Sequence, residues 1–303
     1  MEKPFVLHML TTAKNLSPFD VNMAIDAGWI APIPYSYVEA SEVRGLVQDV
    51  IFSRSAKGLK STGIFIGGRD TKEAMDMLKT AKNSMVPPFE VSVFADPSGA
   101  FTTAAGMVAV AEREIINKFN LPSLKDLNVL ILGGTGPVGQ VAAVIAAQAG
   151  ANVKLVGRQL EKAQRIADLC NQEFGKGEIN IEAGVDAEKG EYIKTTDIVF
   201  ATGAAGIELL SAELIASAPQ LKVAADVNAV PPAGIANLDP FHDGTPIEGS
   251  KSGAVGIGAL AIGNVKYQAQ NRLLKKMIET DKAIYLNFED AFELAREYVK
   301  SKN

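Results

Sequence analysis

Short apolar runs alternate with amphipathic stretches along most of the chain, and the alternation restarts once. Phe5–Leu10 is a brief apolar run that predicts a strand. Ser17-Pro18 opens the next segment as helix cap and first helical residue, with Asp20 in the favourable first turn. That helix is predicted to run to about Ala27 and to stop at Gly28. Asp49–Ser53 and Gly63–Ile66 read as further strands, the second leading through Gly67-Gly68 into a helix over Thr71–Asn83. Pro87-Pro88 breaks the chain, Val91–Ala95 reads as a buried strand, Asp96-Pro97-Ser98-Gly99 as a turn, and Thr102–Lys118 as a long helix. This spacing predicts a mostly parallel sheet with helical crossovers.

Pro122 and the polar stretch Ser123–Asp126 mark the expected passage into a second domain. There the pattern begins again: strand Asn128–Leu132, a glycine turn, helix Val138–Ala149 stopped by Gly150, strand Asn152–Val156, helix Leu160–Phe174, and a strand near Ile179–Ala183. Asp197–Ala201 and Lys222–Val227 are further strands, and Gly234–Gly253 is turn-rich with little periodicity. Helical patterns cover Gly258 to about Thr280 and Phe288–Lys300. The expected division is residues 1–123 and 124–280, with helices at about 281–303 packing back on the first domain.

The glycine turn carries the first chemistry. Gly134, Gly136 and Gly139 satisfy G-x-G-x-x-G between a strand and an Ala-rich helix. In that context the first glycine permits a tight turn, the second lets backbone approach a pyrophosphate, and the third lets helix and strand pack. Thr135, Pro137 and Val138 complete the turn, and N–H groups at the helix start face an anion. The fold class is therefore α/β, with a C-terminal Rossmann-type dinucleotide-binding domain, an N-terminal α/β substrate domain, and a cleft expected between them. A second small-residue turn, Thr202-Gly203-Ala204, is expected beside the first, and Asn228 ends a neighbouring strand. About 20 residues past the glycine turn an NAD site carries Asp or Glu. This chain has Arg158 there, with Lys162 one turn further on. A guanidinium suits a 2′-phosphate, so NADP is favoured; no group bars NAD.

Composition narrows the partners. The 303 residues are 47% hydrophobic and 21% charged with net charge −5, which suits a globular α/β protein and gives no reason to expect nucleic acid or an anionic membrane. No apolar stretch is long enough for a membrane span, and the start is too short for a signal sequence, so a cytoplasmic protein is expected. The single cysteine, Cys170, excludes an internal disulfide and reads as a small buried hydrophobe. Two histidines, His8 and His242, and no carboxylate-histidine cluster leave no expected metal site or nucleophilic relay. Tyr298-x-x-x-Lys302 imitates a short-chain reductase signature, but nothing follows it to build a pocket, so it reads as a solvated helix end.

Three stretches carry a more specific likeness: Ser17–Asp26, Phe94–Thr103 and Asp226–Ile235. Together with Gly253–Gln268 and the glycine turn followed by Gly157-Arg158, they resemble the methylene-tetrahydromethanopterin dehydrogenases of methylotrophic bacteria, in the branch using NAD or NADP. The resemblance covers essentially the whole chain. It implies hydride transfer from the one-carbon bridge of the pterin to the nicotinamide, leaving a methenyl cation, within formaldehyde oxidation. It also implies a homo-oligomer. No proton moves in that reaction, so the lack of an evident acid-base pair is consistent with it. The resemblance further makes Lys266 an active-site residue that orients or tunes the pterin. Asp20 and Asn22 follow the first strand, and Asp96, Ser98, Thr102 and Thr103 follow a later one, so all are candidates for the pterin, with Asp20 and Asp96 at the catalytic centre. Each has a local use as well: Asp20 as a first-turn charge, Asp96 in an Asx turn, Thr102 as a helix cap. Two other readings stay open, a methylene-tetrahydrofolate dehydrogenase with cyclohydrolase activity and a non-catalytic NAD(P)-sensing regulator.

Overall fold

The computed structural model describes residues 3–302. In chain order the first elements are β1 (Val6–Leu10), α1 (Pro18–Asp26), β2 (Ala31–Tyr35), α2 (Val43–Phe52), α3 (Ala56–Leu59), β3 (Thr62–Ile66), α4 (Thr71–Asn83), β4 (Ser92–Ala95) and α5 (Ala100–Phe119). Then come β5 (Asn128–Leu132), α6 (Pro137–Gln148), β6 (Asn152–Gly157), α7 (Leu160–Leu169), β7 (Ile181–Val185), α8 (Lys189–Tyr192), β8 (Ile198–Ala201), α9 (Ala212–Ser217) and β9 (Val223–Asp226). Last are β10 (Asp243–Pro246), β11 (Val255–Ile257), α10 (Ala259–Glu279), β12 (Tyr285–Leu286) and α11 (Phe288–Lys300). Two compact units result: the chain up to Thr102 with Tyr267–Leu294, and Thr103–Lys266 with the residues from Ala295 on.

The first unit is built on a five-stranded sheet of order β12-β4-β3-β1-β2. All its pairings are parallel. β3 is buried at every position, as a central parallel strand must be. Trp29 seals one face. Its indole Nε1 donates to the Leu274 carbonyl at 3.2 Å, and a Cβ on Gly63 of β3 would lie 2.6 Å from the ring. Glycine at that position leaves the space the indole fills.

One expectation fails in this unit, and one strand has no counterpart in the sequence pattern. Asp49–Phe52 is the end of helix α2 rather than a strand, because Val43, Val47, Val50 and Ile51 form a buried helical stripe that a five-residue window does not reveal. The edge strand β2 was missed because it contains Pro32 and Pro34. Ala31 N donates to Phe5 O, and Tyr35 O accepts from Thr11 N, so the odd-numbered residues face β1. The prolines therefore lack their N–H on the outward side, where no ladder partner is needed and strand addition is discouraged.

The second unit has a seven-stranded sheet of order β10-β11-β9-β8-β5-β6-β7, parallel except for β10. Leu130, Leu132, Val156, Val199 and Ala224 form the centre of its core. The strand expected near Ile179 begins at Ile181, β10 lies in the stretch read as turn-rich, and β11 follows just after it. The units divide inside α5 and α10 rather than at residue 123 or 280. Polar, proline-containing sequence marks where the chain reverses, and that is not where packing changes partner.

Candidate active site

In the second unit β5 runs into Gly133, whose φ of 70° makes it the left-handed residue of the turn. The sequence pattern had assigned that role to Gly134. Gly134 is instead a packing glycine, since a Cβ there would lie 2.7 Å from Leu155 Cγ. A Cβ on Gly139 would lie 2.6 Å from both Gly134 Cα and Thr202 Oγ1, so the helix start is packed directly on the turn. Gly136 differs. Its nearest neighbours would be Gly133 O at 3.8 Å and Thr202 O at 3.9 Å, which leaves one side of the helix N-cap open. The first N–H groups of α6 have no intrahelical acceptor, and Pro137 at the first position removes one that would have needed a partner. This open, donor-rich helix start fits a diphosphate.

β8 lies beside β5, and its following turn meets the glycine turn: a Cβ on Gly133 would lie 2.5 Å from Gly203 Cα. Thr202 Oγ1 donates to Leu132 O at 3.1 Å, fixing the two turns together, while Ala204 is exposed. At the end of β6, Thr135, Arg158, Gln159 and Lys162 line a pocket of about 440 Å³. Arg158 and Lys162 are exposed there. Gln159 was not anticipated. Asn228 follows β9. Its amide donates to Val230 O at 3.0 Å and Pro232 O at 3.1 Å, and its Oδ1 accepts from Val230 N at 2.9 Å. These side-chain bonds of Asn228 thus lie within its own loop and brace it. Asp226 beside it accepts from Asn228 N and Gly234 N, and burial pushes its carboxyl above the ordinary range against the pull of these donors.

In the first unit a cleft of about 330 Å³ opens at the carboxyl ends of β1 and β3. Its polar lining is Thr11, Asn15, Ser17, Asp20, Arg69 and Ser98. Asp20 is 3% exposed and accepts from Gln270 Nε2 at 2.8 Å. Ser98, held at φ 53°, donates through Oγ to Gly68 O at 2.8 Å. Thr11, Asn15 and Arg69 were missed, although Gly67-Gly68 marks the carboxyl end of a parallel strand, where ligands of such sheets bind.

Other expected pterin residues lie elsewhere. Asp96 is completely buried, accepting from Phe101 N at 2.9 Å and Thr102 Oγ1 at 2.6 Å, and Thr102 is buried as well. The pair holds the start of α5, so both side chains are engaged within the fold. Asn22 is exposed on α1 and does not line the cleft. Thr103 and Lys266 are half-buried and belong to the second unit's share of α5 and α10. These helices approach closely at Gly106, where a Cβ would lie 3.2 Å from Lys266 N.

The remaining chemistry-bearing residues are structural. His8 shares a 3.0 Å hydrogen bond with Tyr35, and burial, helped by Arg54, lowers its pKa. Burial pushes the Cys170 thiol up to about 12, leaving it unreactive. Tyr298 is buried, not solvated, and accepts from Asn264 Nδ2 at 3.2 Å. Among the described residues no group of three His, Cys, Asp or Glu side chains could hold a metal, and no helix is long and apolar enough to cross a membrane. A cavity of about 640 Å³ in the second unit touches Asn128, Asn152 and Glu182 at the amino edge of its sheet, opposite the edge where doubly wound folds bind nucleotides.

The sheet order, the glycine turn and the cationic pocket define a dinucleotide-binding α/β protein of the dehydrogenase type. Solved structures agree on the fold. The chain matches the 5-ketofructose reductase of Gluconobacter with a TM-score of 0.51 at 17% identity, covering 98% of this chain and 99% of that one. It matches the ornithine transcarbamoylase of Giardia lamblia with a TM-score of 0.54 at 10% identity, covering 93% and 88%. Sequence is more specific. The family described as methylene-tetrahydromethanopterin dehydrogenase, N-terminal, matches residues 18–98. The NAD(P)-dependent methylenetetrahydromethanopterin dehydrogenase of Methylorubrum extorquens is 47% identical over 96% of this chain and 98% of its own length. The bifunctional protein MdtA of the same organism is 33% identical over the same shares. This chain belongs to the methylene-tetrahydromethanopterin dehydrogenase family.

Proposed function

We propose that this protein oxidises methylene-tetrahydromethanopterin to methenyl-tetrahydromethanopterin with NADP or NAD. The observation that carries the proposal is 47% identity, across nearly the full length of both chains, to a dehydrogenase named for this pterin and these nucleotides. The nucleotide, when bound, supplies the hydride acceptor. Around it, N–H groups at the start of α6 hold the diphosphate, Gly136 leaves room for it, and Arg158 with Lys162 takes the 2′-phosphate. Asp20 and Arg69 take the polar head of the pterin: a carboxylate accepts from its guanidine-like amino edge and a guanidinium donates to its carbonyl. Ser98 and Asn15 complete that lining, and Thr103 and Lys266 are assigned to orienting the pterin. Lys266 is not assigned to stabilising the product, because a fixed positive charge opposes a cation.

Hydride loss moves no proton, so catalysis rests on positioning rather than on an acid or base. Against a cyclohydrolase, Tyr267 OH reaches Asp26 at 3.4 Å rather than pairing with its neighbour Lys266. We place the protein in the cytoplasm, where nucleotide and pterin are supplied, as a homo-oligomer; Phe19, Ile25, Ile30 and Ile33 are exposed apolar side chains suited to such contacts. The test compares methylene-tetrahydromethanopterin with methylene-tetrahydrofolate, each with NADP and NAD, reading nucleotide reduction and methenyl formation separately. Methenyl accumulation with tetrahydromethanopterin supports the proposal. Rapid loss of methenyl identifies a cyclohydrolase, and binding without turnover identifies a sensor.

A further inference from the structure

Gln270 occupies a position where an apolar residue is expected. Residues three, four and seven places further along α10, Leu273, Leu274 and Met277, are all buried and hydrophobic, and Gln270 itself has no exposed surface. Only one side of its amide is used. Nε2 donates to Asp20 Oδ1 at 2.8 Å, while Oε1 is buried without a hydrogen-bond partner. A buried polar group left half satisfied is costly, and a methionine or leucine would fill the space without that cost. What the glutamine adds is a rigid donor for the one carboxylate that lines the 330 Å³ cleft. The donor is itself well anchored. One turn along α10 the Leu274 carbonyl accepts from Trp29, and the Met277 methyl would lie 3.0 Å from a Cβ on Gly63.

The geometry points to Gln270 as a positioning residue for substrate binding, acting through Asp20. The inference rests on the proposed pterin reaction. Asp20 sits at the start of α1, its backbone N–H bonded to Ser17 O, and its side chain reaches the cleft and α10 together. A carboxylate whose rotamer is fixed before the substrate arrives meets the amino edge of the pterin without an ordering cost. Without Gln270 the carboxylate loses this donor, and pterin binding weakens while nucleotide binding does not.

The experiment is a double-mutant cycle with Gln270→Met and Asp20→Asn, measuring KM for methylene-tetrahydromethanopterin, KM for NADP and thermal stability. Gln270→Met is expected to raise the pterin KM about ten-fold, the loss of one hydrogen bond to a charged group, with the NADP KM within about two-fold of wild type. In the Asp20→Asn background the same substitution is expected to change the pterin KM by less than about two-fold, because the group it acts through is already altered. Gln270→Asn, which keeps the polarity but withdraws the amide by one methylene, repeats the pterin effect should the methionine variant fold poorly. An unchanged pterin KM in both variants, equal rises for both substrates, or full additivity with Asp20→Asn overturns the positioning role. Wild-type protein that binds NADP but turns over no methylene-pterin overturns the reaction itself, and the positioning role falls with it.

Discussion

Gly136 and Gly139 belong to one motif, yet alanine is expected to act oppositely at the two positions. At Gly136 the backbone lies at φ −83° and ψ 167°, which any residue adopts, and a new methyl would have no neighbour closer than 3.8 Å. The folded chain accommodates it, and the loss of unfolded-state freedom favours folding by about 0.4–1 kcal/mol. The methyl nevertheless stands on the side of the N-cap left open to the diphosphate. Pushing that anion away weakens one or two charge-assisted hydrogen bonds, each about 1.5–3 kcal/mol, so the NADP KM is expected to rise about ten- to a hundred-fold. At Gly139 the methyl would meet Gly134 Cα at 2.6 Å and Gly134 O at 2.8 Å. Backbone must move there, and the cost is about 1–3 kcal/mol of stability. Urea unfolding with nucleotide kinetics separates the two. A Gly136→Ala protein with wild-type nucleotide KM, or one destabilised as much as Gly139→Ala, would refute the assignment of the open side to phosphate.

Two further outcomes concern the cationic pocket and His8. Arg158→Ala is expected to raise the NADP KM about ten-fold, roughly 1.4 kcal/mol of lost phosphate binding, with NAD kinetics nearly unchanged; equal losses for both nucleotides in steady-state kinetics would remove the 2′-phosphate from the pocket. His8, lowered from its ordinary 6.5, binds its proton less readily folded than unfolded. Its share of stability is therefore present above about pH 6.5 and is lost as pH falls below it, and His8→Phe should flatten that part of a denaturation series between neutral and mildly acidic pH.

Periodicity showed most of the scaffold because parallel α/β units write a strong pattern: Gly63–Ile66 of β3 is an unbroken run without a polar side chain, and α6 and α10 are long. The motif showed the nucleotide turn, since a tight strand-to-helix turn packed at 2.6 Å admits only glycine. What stayed hidden depended on partners distant in sequence. β2 counts as a strand only because β1 supplies the ladder on its one donor-bearing side. Asp96 and Asp20 look alike in sequence, each an acidic residue beside a proline-opened turn beyond a strand, yet Asp96 is consumed at the start of α5 while Asp20 keeps a cleft-lining face. Gln270 gives no local sign of its role, because its partner is 250 residues away. Arg69 follows a glycine pair like any loop cation until β1, β3 and the Ser98 turn are seen around it.

The most direct measurement of the central claim is where the hydride goes. Methylene-tetrahydromethanopterin with both bridge hydrogens replaced by deuterium is incubated with the protein and NADP, and the reduced nucleotide is analysed by mass spectrometry. Direct transfer predicts one deuterium in each reduced nucleotide and none released to water, with methenyl-pterin formed in equal amount. Reduced nucleotide without the label, label washed into solvent, or no reduction at all would contradict the account.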